Sequence, residues 1–299
     1  MKLKKVLLFL LIAGVVIGLA ACGSDAEEDN TEEENTEEND ASSDNAEEAS
    51  NNGESGLEGT VTMAGSTSVQ PLSEELAAAF MEQNPDARIE VSGGGSGAGV
   101  TAAQDNAADF GAASREIKED ETGIDEWVIA IDGIGIIVHP DNPVSDLALE
   151  DITSIFAGEI TNWSEVGGDD ADIVVISRED GSGTRGAFTD IVLGDAELVD
   201  SALIQNSTGA VAEGVANDPN AIGYVSVGAM DDTVKGLLVD GAEPTAESIS
   251  AGDYPVSRPF NYVANEETEL SEVAQAYLDF VLSDEGQQVV EDNGFISVN

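Results

Sequence analysis

The chain has 299 residues, with 61 Asp and Glu against 10 Lys and Arg, a formal charge of −51 and a hydrophobic fraction of 41%. That length and apolar content suffice for a folded body with room for two domains, while the charge excludes nucleic acid and anionic membrane surfaces as partners by repulsion. One Cys and one His exclude a disulfide framework and any Cys/His metal cluster within one chain, and leave His139 as the sole imidazole for acid–base chemistry.

The N-terminus reads as an address. Lys2, Lys4 and Lys5 precede an apolar run from Val6 to Gly18. This is signal-peptide length, short of the roughly 20 residues of a membrane span. Leu19-Ala20-Ala21 then leads into Cys22, the small-residue pattern of a bacterial lipoprotein signal. Residues 1–21 are expected to be removed and Cys22 to carry the lipid, so that the mature chain is extracytoplasmic and tethered to the cell membrane. Residues 22–56 are expected to form an acidic, disordered tether. Between Asp25 and Glu54 there are 14 acidic residues and no basic one, too little apolar surface to offset ordering entropy. From Leu57 onward 47 acidic residues face seven basic ones, a formal charge of −40. Such self-repulsion destabilises a compact state unless salt screens it, so the composition predicts a halophilic protein.

Thr60–Ala64 reads as a short strand, followed by Gly65-Ser66-Thr67-Ser68 and then Val69, Leu72, Leu76 and Phe80 at helical spacing. Ser66, Thr67 or Ser68 is the expected cap of that helix. Ile89 and Val91 mark a strand ending in Gly93-Gly94-Gly95-Ser96-Gly97, and a helix is expected from about Ala98 to Asn106. Asp109–Ala112 is a third strand, leading into Ser114-Arg115. Ile134–Val138 reads as a buried strand and Leu149–Phe156 as a helix that stops at Gly158. Ile173–Ile176 is another buried strand, running into Ser177-Arg178-Glu179-Asp180-Gly181-Ser182-Gly183-Thr184, where a helix begins. Ala221–Val225 is strand-like after the Asp218-Pro219-Asn220 turn, and Leu270–Leu282 is an amphipathic helix. The alternation predicts an α/β fold.

Three of these loops share one chemistry. Gly65–Ser68, Gly93–Gly97 and Gly181–Thr184 each follow a strand, open a helix and combine glycine with hydroxyls. Backbone N–H groups at a helix start favour an anion, glycine lets the backbone approach it, and Ser or Thr adds an O–H donor. Arg178 supplies a planar charged fork, which Asp180 is placed to hold. One such loop usually only caps a helix; three with an embedded Arg point to a small tetrahedral oxyanion. No Gly-x-x-x-x-Gly-Lys-Ser/Thr pattern supports a nucleotide P-loop.

The motifs Gly65-Ser66-Thr67, Gly94-Gly95-Ser96-Gly97, Asp109-Phe110-Gly111-Ala112, Phe156-Ala157-Gly158-Glu159-Ile160-Thr161-Asn162-Trp163 and Arg178–Arg185 occur in order. In this order, from about Gly59 to Ile296, the chain resembles the phosphate-binding protein of phosphate-specific ABC transporters. The resemblance implies a two-lobed, hinged periplasmic-binding-protein-like fold (type II) that closes on one phosphate in the interlobe cleft. Lobe I would combine 57–135 with 256–299 and lobe II would be 136–255, with hinges near Gly133-Ile134-Gly135 and Pro255-Val256-Ser257-Arg258. The implied phosphate ligands are Ser66, Thr67, Ser68 and Ser96 from one lobe and Arg178, Ser182, Gly183 and Thr184 from the other, with Gly97 nearby. Relatives carry an Asp where ungapped alignment puts Ser114, so Ser114 is expected to meet the phosphate's proton or an oxygen. A hydroxyl rejects fully ionised sulfate less forcefully than a carboxylate does, because the like-charge penalty is gone. Arg115 either adds a positive contact or pairs with a nearby carboxylate. Also implied are inorganic phosphate as cargo, permease subunits with their ATPase as partners, a monomer, and no cofactor, metal or catalytic residue.

Other readings have weaker support in the residues. An esterase or phosphatase lacks the Gly-x-Ser-x-Gly elbow, and its only base would be His139, which precedes Pro140 in a turn. Sulfate or molybdate on the same scaffold is a second alternative, and an adhesion or structural lipoprotein a third, which leaves the donor loops unexplained. Trp127 and Trp163 are expected in the core.

Overall fold

The computed structural model describes residues 56–299. The expected signal segment, Cys22 and the acidic tether up to residue 55 lie outside the described residues. The strands are β1 (Gly59–Gly65), β2 (Ala87–Gly93), β3 (Phe110–Ala113), β4 (Ile124–Val138), β5 (Asp146–Leu147), β6 (Val174–Arg178), β7 (Leu203–Gln205), β8 (Ala221–Ser226), β9 (Lys235–Gly236), β10 (Leu238–Val239) and β11 (Ser257–Asn265). The helices are α1 (Gln70–Gln83), α2 (Ser96–Gln104), α3 (Leu149–Phe156), α4 (Gly183–Phe188), α5 (Thr208–Ala216), α6 (Ala246–Ala251), α7 (Glu272–Val281) and α8 (Asp284–Asp292).

The main sheet runs β2-β1-β3-β11-β4-β8-β6-β7, with β9 beside the end of β4. The outer pairs, β1 with β2 and β3 and β6 with β7 and β8, are parallel. The centre is antiparallel and depends on the length of β4. Its first part, Ile124–Gly133, pairs with β11, and its second part, Ile134–Val138, pairs with β8. One strand therefore belongs to both ends of the sheet.

Hydrophobic burial divides the body in two. In the first half, α1, α7 and α8 cover one sheet face through Leu72, Leu76, Phe80, Val273, Tyr277, Leu278, Val281 and Val290, packed on Phe110 and Tyr262. Val100 and Ala103 of α2 cover the other face, against Ala113 and Val263. In the second half, Ile152, Ile155 and Phe156 of α3 join Phe188 and Tyr224, whose rings stack with centroids 4.1 Å apart. Val211 and Val215 of α5 cover the opposite face of β6 and β8. A sheet covered on both faces explains the nearly unbroken apolar runs of β6 and β8.

The chain passes between the halves at Gly133-Ile134 in β4 and again just before β11, and these passages clasp each other. The Ile134 amide donates to the Val256 carbonyl at 2.8 Å, and the Tyr254 hydroxyl donates to the Ile134 carbonyl at 2.9 Å. Beside them Arg258 donates through Nε and Nη2 to Asp132 Oδ2 at 3.1 and 2.9 Å, with both side chains at most 1% exposed. Ser226 of the second half donates to Asp132 Oδ1, and Arg258 Nη1 donates to the Ser114 carbonyl of the first half. Burial pushes the Asp132 carboxyl up and the Arg258 guanidinium down, and their mutual attraction opposes both.

Several elements depart from the sequence reading. The helix after β1 is capped at Val69 without a side-chain cap, because Ser66 Oγ accepts from the Ser68 and Val69 amides one turn earlier. α2 starts at Ser96, two residues before the expected Ala98. The first part of β4 and the elements β7, α5, α6, β11 and α8 were not anticipated. β11 contains Pro259, which argues against a central strand. Pro259 is tolerated because β3 pairs only with Asn261–Val263, beyond a bulge at Phe260/Asn261, so the proline has a strand on one side only.

Replacing Arg258 by Met leaves Asp132 buried without its cation and is expected to cost about 3–5 kcal/mol of stability, whereas pairing it with Asp132→Leu should cost much less. Urea unfolding of both variants at fixed salt checks this; equal losses would mean that the pair carries no coupling.

Candidate functional site

The expected donor loops meet at the seam between the two halves. Gly65 holds φ 146°, and a Cβ there would lie 2.2 Å from the Ala112 carbonyl, so only glycine lets the first loop turn against β3. The amides of Gly94 and Gly95 donate to the Gly65 carbonyl at 2.7 and 2.8 Å, tying the second loop to the first. Ser66 Oγ donates to Ser114 Oγ at 2.9 Å, and the Ser114 amide donates to Ser96 Oγ at 3.1 Å. Ser66, Ser96 and Ser114 thus form one buried hydroxyl cluster on the first half.

The second half presses its own donors onto that cluster. Ser182 caps α4 by accepting from the Arg185 amide at 3.2 Å, which places Gly183 and Thr184 in the first helical turn. Thr184 Oγ1 lies 2.8 Å from Ser68 Oγ across the seam. A Cβ on Gly183 would stand 2.1 Å from Ser96 Oγ and 2.7 Å from Ser114 Oγ, so the glycine backbone itself lies against the hydroxyls. The Gly97 amide donates to the Gly181 carbonyl at 3.2 Å, a further bond between halves.

Arg178 ends β6 and is 2% exposed. Its Nε and Nη2 donate to the two oxygens of Glu179, each at 2.9 Å, and its Nη1 donates to Thr208 Oγ1 at 3.2 Å. The expected partner, Asp180, is displaced from this role. It sits on the exposed turn and pairs with Arg185 at 2.7 Å, while the adjacent, longer Glu179 reaches the fork. Arg115 makes no contact with the cluster either. It forms a bidentate pair with Glu121 at 2.8 and 2.6 Å. Burial raises the Glu121 carboxyl, but Arg115 and the Lys118 amide outweigh it and hold it below its ordinary value.

The structure therefore brings Ser66, Thr67, Ser68, Ser96, Ser114, Arg178, Gly183 and Thr184 into one contiguous network, with Ser182 buried beside them. None of the cluster hydroxyls bonds a histidine, a lysine or a carboxylate among the described residues, so none has a base that would make it a nucleophile. His139 lies in a turn where its Nδ1 accepts from the Asp141 amide. Trp163 is buried and donates to the Asn220 carbonyl, and Trp127 packs on Phe110. Among the described residues no group of three or more His, Cys, Asp or Glu could hold a metal ion. The sequence reading missed Thr208, Glu179 and Arg258. Asn206-Ser207-Thr208-Gly209 before Val211 and Val215 carries the same glycine–hydroxyl signature as the other loops and was the available signal for Thr208.

Comparison with known proteins decides the family. The model of the PBP superfamily domain matches residues 44–285. Phosphate-binding protein PstS of Bacillus subtilis is 35% identical, over all of this chain and 95% of the relative. The chain belongs to the PstS family of phosphate-binding proteins. A PstS of Borreliella burgdorferi is 30% identical over 80% of this chain and 90% of its own. The crystal structure of a phosphate ABC transporter substrate-binding protein from Clostridium perfringens, with bound phosphate, superposes with a TM-score of 0.79 at 45% identity, covering 81% of this chain and all of that one. An ABC-type phosphate transport receptor from Vibrio cholerae gives a TM-score of 0.67 at 31% identity, over 80% of this chain and all of its own. The mixed α/β, PstS-like fold follows, in a family of transport binding proteins rather than enzymes.

Gly183→Ala puts a methyl group into the hydroxyl cluster and is expected to destabilise the protein by about 1–3 kcal/mol through overpacking. A thermal unfolding curve identical to that of the unchanged chain would mean that α4 does not press on Ser96 and Ser114 as described.

Proposed function

We propose that this chain is an extracytoplasmic solute-binding protein that captures inorganic phosphate and delivers it to an ABC importer. One observation carries the reading: hydroxyls from two halves of the body, with the Nη1 edge of a buried arginine, converge at the seam between them. Ser66, Thr67, Ser68, Ser96 and Ser114 would bind from lobe I, and Arg178, Ser182, Gly183 and Thr184 from lobe II. The lobes would be 57–135 with 256–299, and 136–255, moving about Gly133-Ile134-Gly135 and Pro255–Arg258.

The chemistry suits an acceptor-only ligand. A hydroxyl that now gives its proton to a neighbouring hydroxyl can rotate and give it to an anion oxygen. The site thus exchanges one set of hydrogen bonds for a stronger, charge-assisted set without stranding a donor. Glu179 accepts from Nε and Nη2 along one edge of the Arg178 fork and so fixes the direction in which Nη1 points. A ligand that touches both lobes stabilises the closed arrangement by its differential affinity for it.

Ser114 bears on the choice of cargo. Its hydroxyl is buried between Ser66 and Ser96, and among the described residues the only buried carboxylate, Asp132, is engaged by Arg258. Among the described residues no carboxylate bonds the cluster hydroxyls, and the Glu179 carboxylate is engaged by Arg178, so sulfate is the competitor to test. The remaining assignments follow the same reading. Cys22 would carry the lipid that anchors the chain to the cell membrane after removal of residues 1–21. The protein would work as a monomer, with the permease subunits and their ATPase as partners. The −40 body would require salt, as in a halophilic host.

Isothermal titration in about 2 M chloride, where charges are screened within a few ångströms, is expected to give one-to-one phosphate binding, with excess sulfate then added as the competitor. Arg178→Ala should weaken it at least about tenfold through loss of a charge-assisted bond. Binding of sulfate or molybdate without phosphate would overturn the cargo, and unchanged affinity in the variant would remove Arg178 from the site. For the salt requirement, the unfolding temperature should rise steadily from low salt to about 2 M chloride as the Debye length shrinks; a flat profile would refute it.

A further inference from the structure

The start of α5 contributes a hydroxyl that neither the motifs nor the relatives' names assign. We propose that Thr208 is a direct ligand of the anion and the latch that couples its binding to closure; this rests on the phosphate reading above.

Thr208 is the first residue of α5 and is 4% exposed. It is not needed to cap its own helix, because Ser207 Oγ already accepts from the Ala210 amide at 3.1 Å. Its hydroxyl lies instead at the centre of the network. Thr208 Oγ1 stands 2.8 Å from Ser68 Oγ, 3.2 Å from Thr67 Oγ1 and 3.2 Å from Arg178 Nη1. Its amide donates to Thr67 Oγ1 at 3.2 Å.

Two consequences follow from donor inventory. Arg178 has no acceptor, so it donates to Thr208, and Thr208's own proton is free to go to a neighbour. Glu179 takes the Nε proton and one of the two on Nη2, so the donors of Arg178 left for a ligand are the second Nη2 proton and the Nη1 end, which already points at Thr208. An anion oxygen that takes the Nη1 bond while reaching Ser68 comes within hydrogen-bond distance of Thr208 Oγ1. The second consequence concerns closure. Among the described residues, the hydroxyl–hydroxyl contacts that join the donor loops across the seam are Ser68 with Thr184, Ser68 with Thr208 and Thr67 with Thr208, and Thr208 takes part in all but the first. The residue that meets the anion therefore also meets the opposite half, through its hydroxyl and its amide together.

The test titrates phosphate into the full-length chain and its Thr208→Ser, Thr208→Val and Arg178→Ala variants in about 2 M chloride, with unfolding curves of each as a control. Thr208→Val keeps the shape and removes the hydroxyl; it is expected to weaken phosphate binding about ten- to a hundredfold and to speed phosphate release, while Thr208→Ser stays within about threefold of the unchanged chain. Wild-type affinity in Thr208→Val, or an equal loss in Thr208→Ser, overturns the inference, the latter because packing and not the hydroxyl would be responsible. If Thr208→Val does not fold, Thr208→Ala, which only removes atoms, decides between the same outcomes. Absence of phosphate binding by the unchanged chain overturns the phosphate reading, and this inference with it. Binding by the unchanged chain that is lost in Arg178→Ala but kept in Thr208→Val overturns the inference alone.

Discussion

The buried pair of Asp132 and Arg258 is the constraint around which the two halves are organised. It lies where β4 leaves one core for the other and where the returning chain enters β11. The residues are register partners on adjacent strands, so backbone pairing alone brings the charges together. Arg258 also holds the Ser114 carbonyl and Asp132 accepts from Ser226, so the pair reaches one strand end in each half. A buried ion pair of this kind contributes little net stability, yet breaking it is costly. It reinforces the register of the crossing strands and, through the Ser114 carbonyl, the position of Ser114 in the hydroxyl cluster.

That cluster answers a difficulty set by composition. A body with a formal charge of −40 must present a site that accepts an anion. Among the described residues the buried cations are few and each is matched: Arg115 by Glu121, Arg178 by Glu179 and Arg258 by Asp132. Net positive charge is therefore not the attracting principle at the seam. In the proposed site neutral hydroxyls and backbone amides would do that work at close range, where their dipoles are not screened, while salt would suppress the long-range field of the surface carboxylates. Buried hydroxyls suit this because they can satisfy one another and can also turn toward an acceptor.

Much of the architecture was legible because its signals are local. The short buried strands at β1, β6 and β8 and the helices α1, α3 and α7 follow from apolar runs and helical spacing in windows of a few residues. The three donor loops were legible for the same reason, since glycine followed by hydroxyls at a strand-to-helix turn is a local pattern. β11 was not, because Pro259 and the polar Asn261 break its pattern, and only the one-sided pairing of the proline explains its survival in the centre of a sheet. Nor was α8, most of whose residues are polar; besides Val290 in the core, it is held by a Ser283 cap and by Gln287, which donates to the Ile129 and Val281 carbonyls.

By itself the sequence determined the type of fold, the positions of the Gly/Ser/Thr loops and the presence of an arginine among them. Each of these is a property of residues adjacent in the chain. The tertiary structure decided which partners those residues take. Glu179 rather than Asp180 holds Arg178, Arg115 goes to Glu121 instead of the seam, and Thr208 enters the cluster from 140 residues beyond Ser68. The physical reason is that a side chain's partner depends on where its neighbour's last torsions point and on which elements cross nearby, and neither is encoded in spacing along the chain.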